Sequence, residues 1–285
     1  MKKTLLLASI LLSISFSFGY TTFDISQGLA PGSSNALGLA VDPDNGHTFI
    51  STLSYEGQDN LYEFDSIGNL VYSARIPFDV GGSGNIGEMV MSNDGHLFMA
   101  ASRYNGNSWD NYLLETSKDG QTIYQTFEHP SSSGISYSPL TDSLSYIKFL
   151  SERNYTVKEV TREGDLISKF RLDEPIAGRD WYMGLIYESI TEDFYINEFH
   201  QNVLSQYSKN DQGNYEYVLS YDINTLPLLG TIHDIDINRA TGLFYAQDDN
   251  EQVIIFNIDE LDVYPIPEPA TLLLLGVGGL LIRKR

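Results

Sequence analysis

The chain has 285 residues, 42% of them hydrophobic, with 19 Tyr, 14 Phe and no Cys. That length suffices for one large domain, the aromatic content favours strands, and the missing Cys excludes disulfides and thiolate chemistry. Seventeen basic residues face 38 acidic ones for a formal charge of −21, which repels phosphate backbones and argues against nucleic acid as a partner.

In chain order, Lys2 and Lys3 precede a run over residues 4–16 that is apolar apart from Thr and Ser. Ser17-Phe18-Gly19 then sets small residues at the −3 and −1 positions of a cleavage site. This layout predicts a signal peptide over residues 1–19, cut between Gly19 and Tyr20, and hence passage through the Sec export machinery. The run is shorter than the roughly 20 apolar residues of a membrane span.

Residues 20–264 repeat. An apolar strand ends at Val41, turns through Asp42-Pro43-Asp44-Asn45-Gly46 and leaves as His47-Thr48-Phe49-Ile50. The residues that precede the equivalent turns are Val41, Met91, Tyr137, Tyr187 and Ile237, at steps of 50, 46, 50 and 50. Asn, Asp, Pro and Gly tolerate or preset the dihedrals of these turns. A second hairpin follows in each unit, with turns at Asp65, Asp119, Glu163, Asn210 and Asp259. In the fifth unit the strand beyond that turn is expected over Leu261-Asp262-Val263-Tyr264.

Four strands per unit at a period of 40–50 residues predict an all-β protein, a β-propeller of about five four-stranded blades. Tyr20-Thr21-Thr22-Phe23-Asp24-Ile25 is left over and could add an outer strand to the last blade, latching the ring. The body resembles the broad group of NHL-, lactonase- and quinoprotein-type propellers, and lacks the Trp-Asp dipeptide of WD40 repeats.

After Tyr264, Pro265, Pro267 and Pro269 stop the fold. Residues 270–282 carry no charge, and Arg283-Lys284-Arg285 ends the chain. As a helix the apolar run reaches about 20 Å, a short transmembrane segment whose basic end stays cytoplasmic. Residues 265–285 resemble PEP-CTERM sorting signals, in which a Pro-Glu-Pro motif precedes a Leu/Gly-rich span and a basic cluster. The resemblance implies export by a Gram-negative, exopolysaccharide-making bacterium and processing by exosortase, a membrane peptidase. It makes Pro267, Glu268 and Pro269 the recognition element and Arg283, Lys284 and Arg285 the basic stop. The protein is then membrane-anchored before processing and afterwards resides at the cell surface or outside the cell.

Loops entering the innermost strands of a propeller surround one mouth of its channel. Asn35, Asn85, Glu88, Asp180, His233 and Asp234 are the candidates there. Oxygens converging on the axis could hold Ca²⁺, a hard cation that wants six to eight of them. By resemblance to lactonase-type propellers, such a metal would support hydrolysis. Arg179-Asp180-Trp181 reads as an inter-blade ion pair beside a packed Trp, and Asp42–Gly46 as a plain turn. His47 and His96 recur at one blade position, which suggests structure. No Gly-x-Ser-x-Gly elbow, Walker loop or dinucleotide fingerprint occurs. The expected function is therefore non-enzymatic binding at the cell surface or in the matrix, linked to exopolysaccharide or biofilm. The alternative is a secreted metal-dependent hydrolase.

Overall fold

The computed structural model describes residues 19–29, 33–54, 59–79, 85–128, 132–151, 154–172, 182–198, 201–227 and 230–264. The predicted signal peptide up to residue 18 and the tail from residue 265 lie outside these. Among the described residues no helix is long and apolar enough to cross a membrane.

Among the described residues, twenty strands form five antiparallel four-stranded sheets. Blade 1 is β2 (Ser33–Val41), β3 (Thr48–Ser54), β4 (Asn60–Phe64) and β5 (Leu70–Arg75). Blade 2 is β6 (Asn85–Met91), β7 (Leu97–Tyr104), β8 (Trp109–Thr116) and β9 (Ile123–Glu128). Blade 3 is β10 (Ser132–Ser138), β11 (Ser143–Ser151), β12 (Asn154–Thr161) and β13 (Leu166–Arg171). Blade 4 is β14 (Tyr182–Glu188), β15 (Asp193–Glu198), β16 (Val203–Lys209) and β17 (Tyr215–Asp222). The fifth holds β18 (Ile232–Asn238), β19 (Leu243–Asp248), β20 (Gln252–Phe256) and, as its outermost strand, β1 (Thr21–Asp24) from the start of the body.

Each inner hairpin turns where the repeat predicts. Gly46 N–H donates to the Asp42 carbonyl at 2.9 Å, and Gly95 N–H to the Ser92 carbonyl at 3.1 Å. On the outer strands β5 and β9 half-buried and exposed residues alternate, whereas strands nearer the axis, such as β15, are buried throughout or nearly so. A blade's inner strands are covered on both faces by its neighbours, while its rim meets water on one side. The innermost strands β2, β6, β10, β14 and β18 touch in sequence, and β18 returns to β2 to complete the ring.

The latch forms as the leftover segment suggests. Thr21 to Asp24 pair antiparallel with Ile255 to Gln252, and Phe23 is buried there. A Cβ on Gly68, whose φ is +87°, would lie 2.7 Å from the Phe23 ring, so the blade 1 turn fits the latch only as glycine.

The expected fourth strand over residues 261–264 is corrected. The outer edge of β20 is occupied by β1, so the chain cannot fold back on it. Instead Asn257 Oδ1 accepts the Asp259 N–H at 3.1 Å and caps a 3₁₀ turn at Ile258–Glu260. The chain then crosses to blade 4, where Val263 bridges Tyr221 and Tyr264 N–H donates to the Ser220 carbonyl at 2.7 Å.

Candidate site at the channel mouth

The geometry of the axis follows from one repeated position, three residues before each inner turn. It holds Gly38, Glu88, Gly134, Gly184 and Asp234. Neighbouring blades almost touch here. A Cβ on Gly38 would sit 2.0 Å from the Gly87 carbonyl oxygen, and one on Gly184 would sit 2.7 Å from Ile235 Cγ2. Only blades 2 and 5 place a side chain at this level, and both side chains are carboxyls.

These side chains satisfy backbone groups that the innermost strands leave open toward the next blade. Asp234 Oδ2 accepts the Leu39 N–H and Asp236 Oδ2 the Val41 N–H, each at 2.8 Å. Ser136 Oγ accepts the Tyr187 N–H at 2.7 Å. Glu88 accepts from Gly134 in the same way. The innermost edge of a blade is thus paired by side chains from its neighbour, which protects it as a further strand would.

Burial dominates the electrostatics. It pushes the Glu88 carboxyl up to about 7, with the Glu88 and Gly134 backbone N–H groups opposing. It raises Asp234 well above the usual carboxylate range, and the neighbouring Glu88 raises it further. Asp236 rises to about 6 by burial, opposed by Arg239. Near pH 6 Glu88 therefore keeps its proton while Asp236 is about half ionised, which lowers the negative charge on the axis.

At the N-terminal ends of the innermost strands lies a cavity of about 160 Å³. Leu37 of blade 1, Asn85, Glu88, Ser102 and Asn111 of blade 2, and Met183 of blade 4 line it. Residues from three blades place it over the mouth of the ring. Of the six candidates, the structure thus brings Asn85 and Glu88 into one cavity. Asp234 lies beside Glu88 but is buried against backbone N–H groups, with Oδ1 taking the Ile235 N–H at 2.9 Å. His233 is half-buried, and burial lowers its pKa against the opposing pull of Asp249 and Asp248. Asn35 sits on β2, with its side chain outside the described residues, and Asp180 lies outside them with Arg179 and Trp181. Gly19 N–H donates to Glu260 Oε2 at 3.0 Å, and Tyr20 is exposed.

The fit to Ca²⁺ is poor. The Asp234 carboxylate spends both oxygens on backbone N–H groups, and Glu88 accepts the Gly134 N–H. Among the described residues no three His, Asp or Glu side chains converge as metal ligands.

Two features of the opposite rim are not evident from the sequence. Arg239, in the turn after β18, reaches across the axis and donates from Nη1 to the Met91 carbonyl at 2.7 Å. Its guanidinium lies 5.3 Å from the centroid of the Tyr137 ring. One side chain thus links blades 5, 2 and 3. Arg162 of blade 3 pairs with Asp94 at 2.8 Å and with Glu115, both of blade 2. Burial works against the Asp94 carboxylate, but Ser92 and Arg162 outweigh it and hold the pKa down at about 2. His47 pairs with Glu63 at 2.7 Å and His96 with Glu115 at 2.6 Å, so the recurrent histidines are structural. Asp42, in the first turn, is buried and pairs with Lys118 of blade 2.

Comparison with known proteins separates the tail from the body. The family model described as the PEP-CTERM protein-sorting motif matches residues 265–285. The tail is a PEP-CTERM sorting motif. It marks the chain for export, for C-terminal membrane anchoring and then for processing by exosortase, a membrane protein. No curated protein shows significant sequence similarity to the chain. Solved propellers resemble the body. A luciferin-regenerating enzyme is 9% identical with a TM-score of 0.52, over 86% of this chain and 98% of that one. The Cps50 (Swd1) propeller domain of Myceliophteria thermophila is 8% identical with a TM-score of 0.45, over 79% and 84%. The Dos1 propeller is 11% identical with a TM-score of 0.43, over 77% of this chain and 66% of that one. At such identities the likeness is one of fold alone.

Proposed function

We propose that this is an exported cell-surface or extracellular-matrix propeller that binds exopolysaccharide and catalyses no reaction. The observation that carries this reading is the pairing of a PEP-CTERM tail with a ring whose Asp234 and Asp236 carboxyls are taken up by the backbone of the next blade. Carboxyls that hold blades together are poorly placed to hold a hydrolytic metal. That argument favours binding over the metal-dependent hydrolase alternative. A closed ring also suits a matrix, because it leaves no long sheet edge to template aggregation. The net charge of −21 keeps such a body soluble.

The test starts from protein purified from its native cells. Intact mass is expected to show Tyr20 as the first residue and the loss of the apolar segment with Arg283 to Arg285. The processed protein is expected to sediment with the cells' own exopolysaccharide. An intact Arg285 in the membrane fraction would replace release by a plain tail anchor. Absence from the polysaccharide pellet would remove the binding role.

A further inference from the structure

The hairpin that walls the cavity in blade 2 continues outward to an exposed aromatic pair. Strands β7 and β8 have eight residues each, and their ladder runs from Ser102↔Asn111 through Arg103↔Asp110 to Tyr104↔Trp109. Side chains two residues apart share a face, and directly opposed partners share it too. Tyr104 and Trp109 therefore stand on the same face as Ser102 and Asn111, about 7 Å farther out. Both rings are open to solvent, at 39% and 52% exposure, with centroids 5.3 Å apart and planes inclined at 50°.

The tip that carries them is internally braced. Asn105 Oδ1 accepts the Asn107 and Ser108 N–H groups at 3.0 and 2.9 Å. Its Nδ2 donates to Ser108 Oγ at 2.9 Å and to Asp110 Oδ2 at 3.0 Å. The Tyr104 hydroxyl donates to the Gly106 carbonyl at 3.0 Å. An aromatic pair held in place loses little conformational freedom when a ligand stacks on it. Below it, Ser102 Oγ donates to Asn111 Oδ1 at 2.8 Å, a bond that does not use the Asn111 Nδ2 donors.

Flat apolar faces next to convergent amide, hydroxyl and carboxyl groups match the two sides of a sugar ring, with C–H groups for stacking and hydroxyls for hydrogen bonds. Charge narrows the class. The chain's net charge of −21 repels uronates and sulfated sugars, and Arg103 stands on the other face of the ladder, where it pairs with Asp79 at 3.8 Å.

We propose that the β7–β8 face and the cavity beside it bind the end of an uncharged polysaccharide. Trp109 and Tyr104 stack on one sugar ring, while Asn85, Glu88, Ser102 and Asn111 hydrogen-bond the hydroxyls of the next. This rests on the polysaccharide-binding role above and gives it a site and a ligand class.

The probe is the exopolysaccharide of the native cells, separated by anion exchange into neutral and acidic fractions. The tail-processed protein is expected to be retarded in affinity electrophoresis by the neutral fraction. Trp109→Ala is expected to weaken that at least tenfold, and Asn111→Ala at least threefold, with the thermal midpoint of each unchanged. Wild-type retention by the neutral fraction that survives both substitutions would overturn the site and leave the polysaccharide-binding role standing. Stronger retention by the acidic fraction would overturn the ligand class. Retention by neither fraction would overturn both.

Discussion

Glu88 shows how much one buried carboxyl can shape the behaviour of this ring. Its pKa stands at about 7 in the folded state, against 4.5 for the ordinary group. A group raised on folding supports the native state fully below its unfolded value and loses that support as pH climbs through the folded value. Between pH 4.5 and 7 the wild type should therefore lose about 3 kcal/mol through this group. Glu88→Gln stays neutral at every pH. It is expected to make the fall shallower, while Asp234 and Asp236, both raised by burial, leave the rest of it. Urea midpoints at pH 5 and pH 8 measure this, and an unchanged pH slope in the variant would refute the assignment. The axial position of Glu88 and Asp234 is legible in the sequence, because the repeat aligns both with glycines. What they do there is not legible. Their bonds run to the next blade, and local spacing carries no record of how closely two blades approach.

At the scale of strands and blades, turn chemistry is the most readable feature. The inner turns of blades 1, 2 and 5 carry Asn, Asp or Gly, while those of blades 3 and 4 lack glycine and hold Asp142 and Glu192 at φ of 49° and 61°; the four-strand period follows from their spacing. The outer strand of the last blade is less readable. Residues 261–264 alternate apolar and polar residues as a strand should, yet their pairing depends on whether the edge of β20 is already taken. A segment more than 200 residues away decides that. Ser102, Asn111 and Met183 likewise join the cavity only because three blades meet at its mouth. The contacts between blades are testable through Arg162, which clamps blade 3 to Asp94 and to the buried Glu115 of blade 2. Arg162→Ala leaves Glu115 with His96 and Gln125 as its remaining partners. A loss of about 1–3 kcal/mol is expected, as for a buried acceptor deprived of one of its hydrogen-bond donors. Chemical denaturation at pH 7 checks it.

For the whole molecule, closure is the governing event. Phe23 carries the latch, buried among the residues of blades 1 and 5. Phe23→Ala should cost about 3–5 kcal/mol. Because β1 is short, the cost should appear as fraying of the first and last blades before the rest unfolds, visible as early hydrogen exchange in Val253 to Ile255. Uniform exchange across all five blades would argue that the ring opens only as one unit.

The latch also decides how the molecule bears load. Any pull from a surface through residue 265 first meets the Tyr221–Val263 bridge, which can peel away one contact at a time. The next strand in line, β20, lies between β19 and β1, so it cannot be unzipped from an edge. Tension along it must shear two ladders at once. The weak strap yields first and takes up slack, while the ring behind it stays shut.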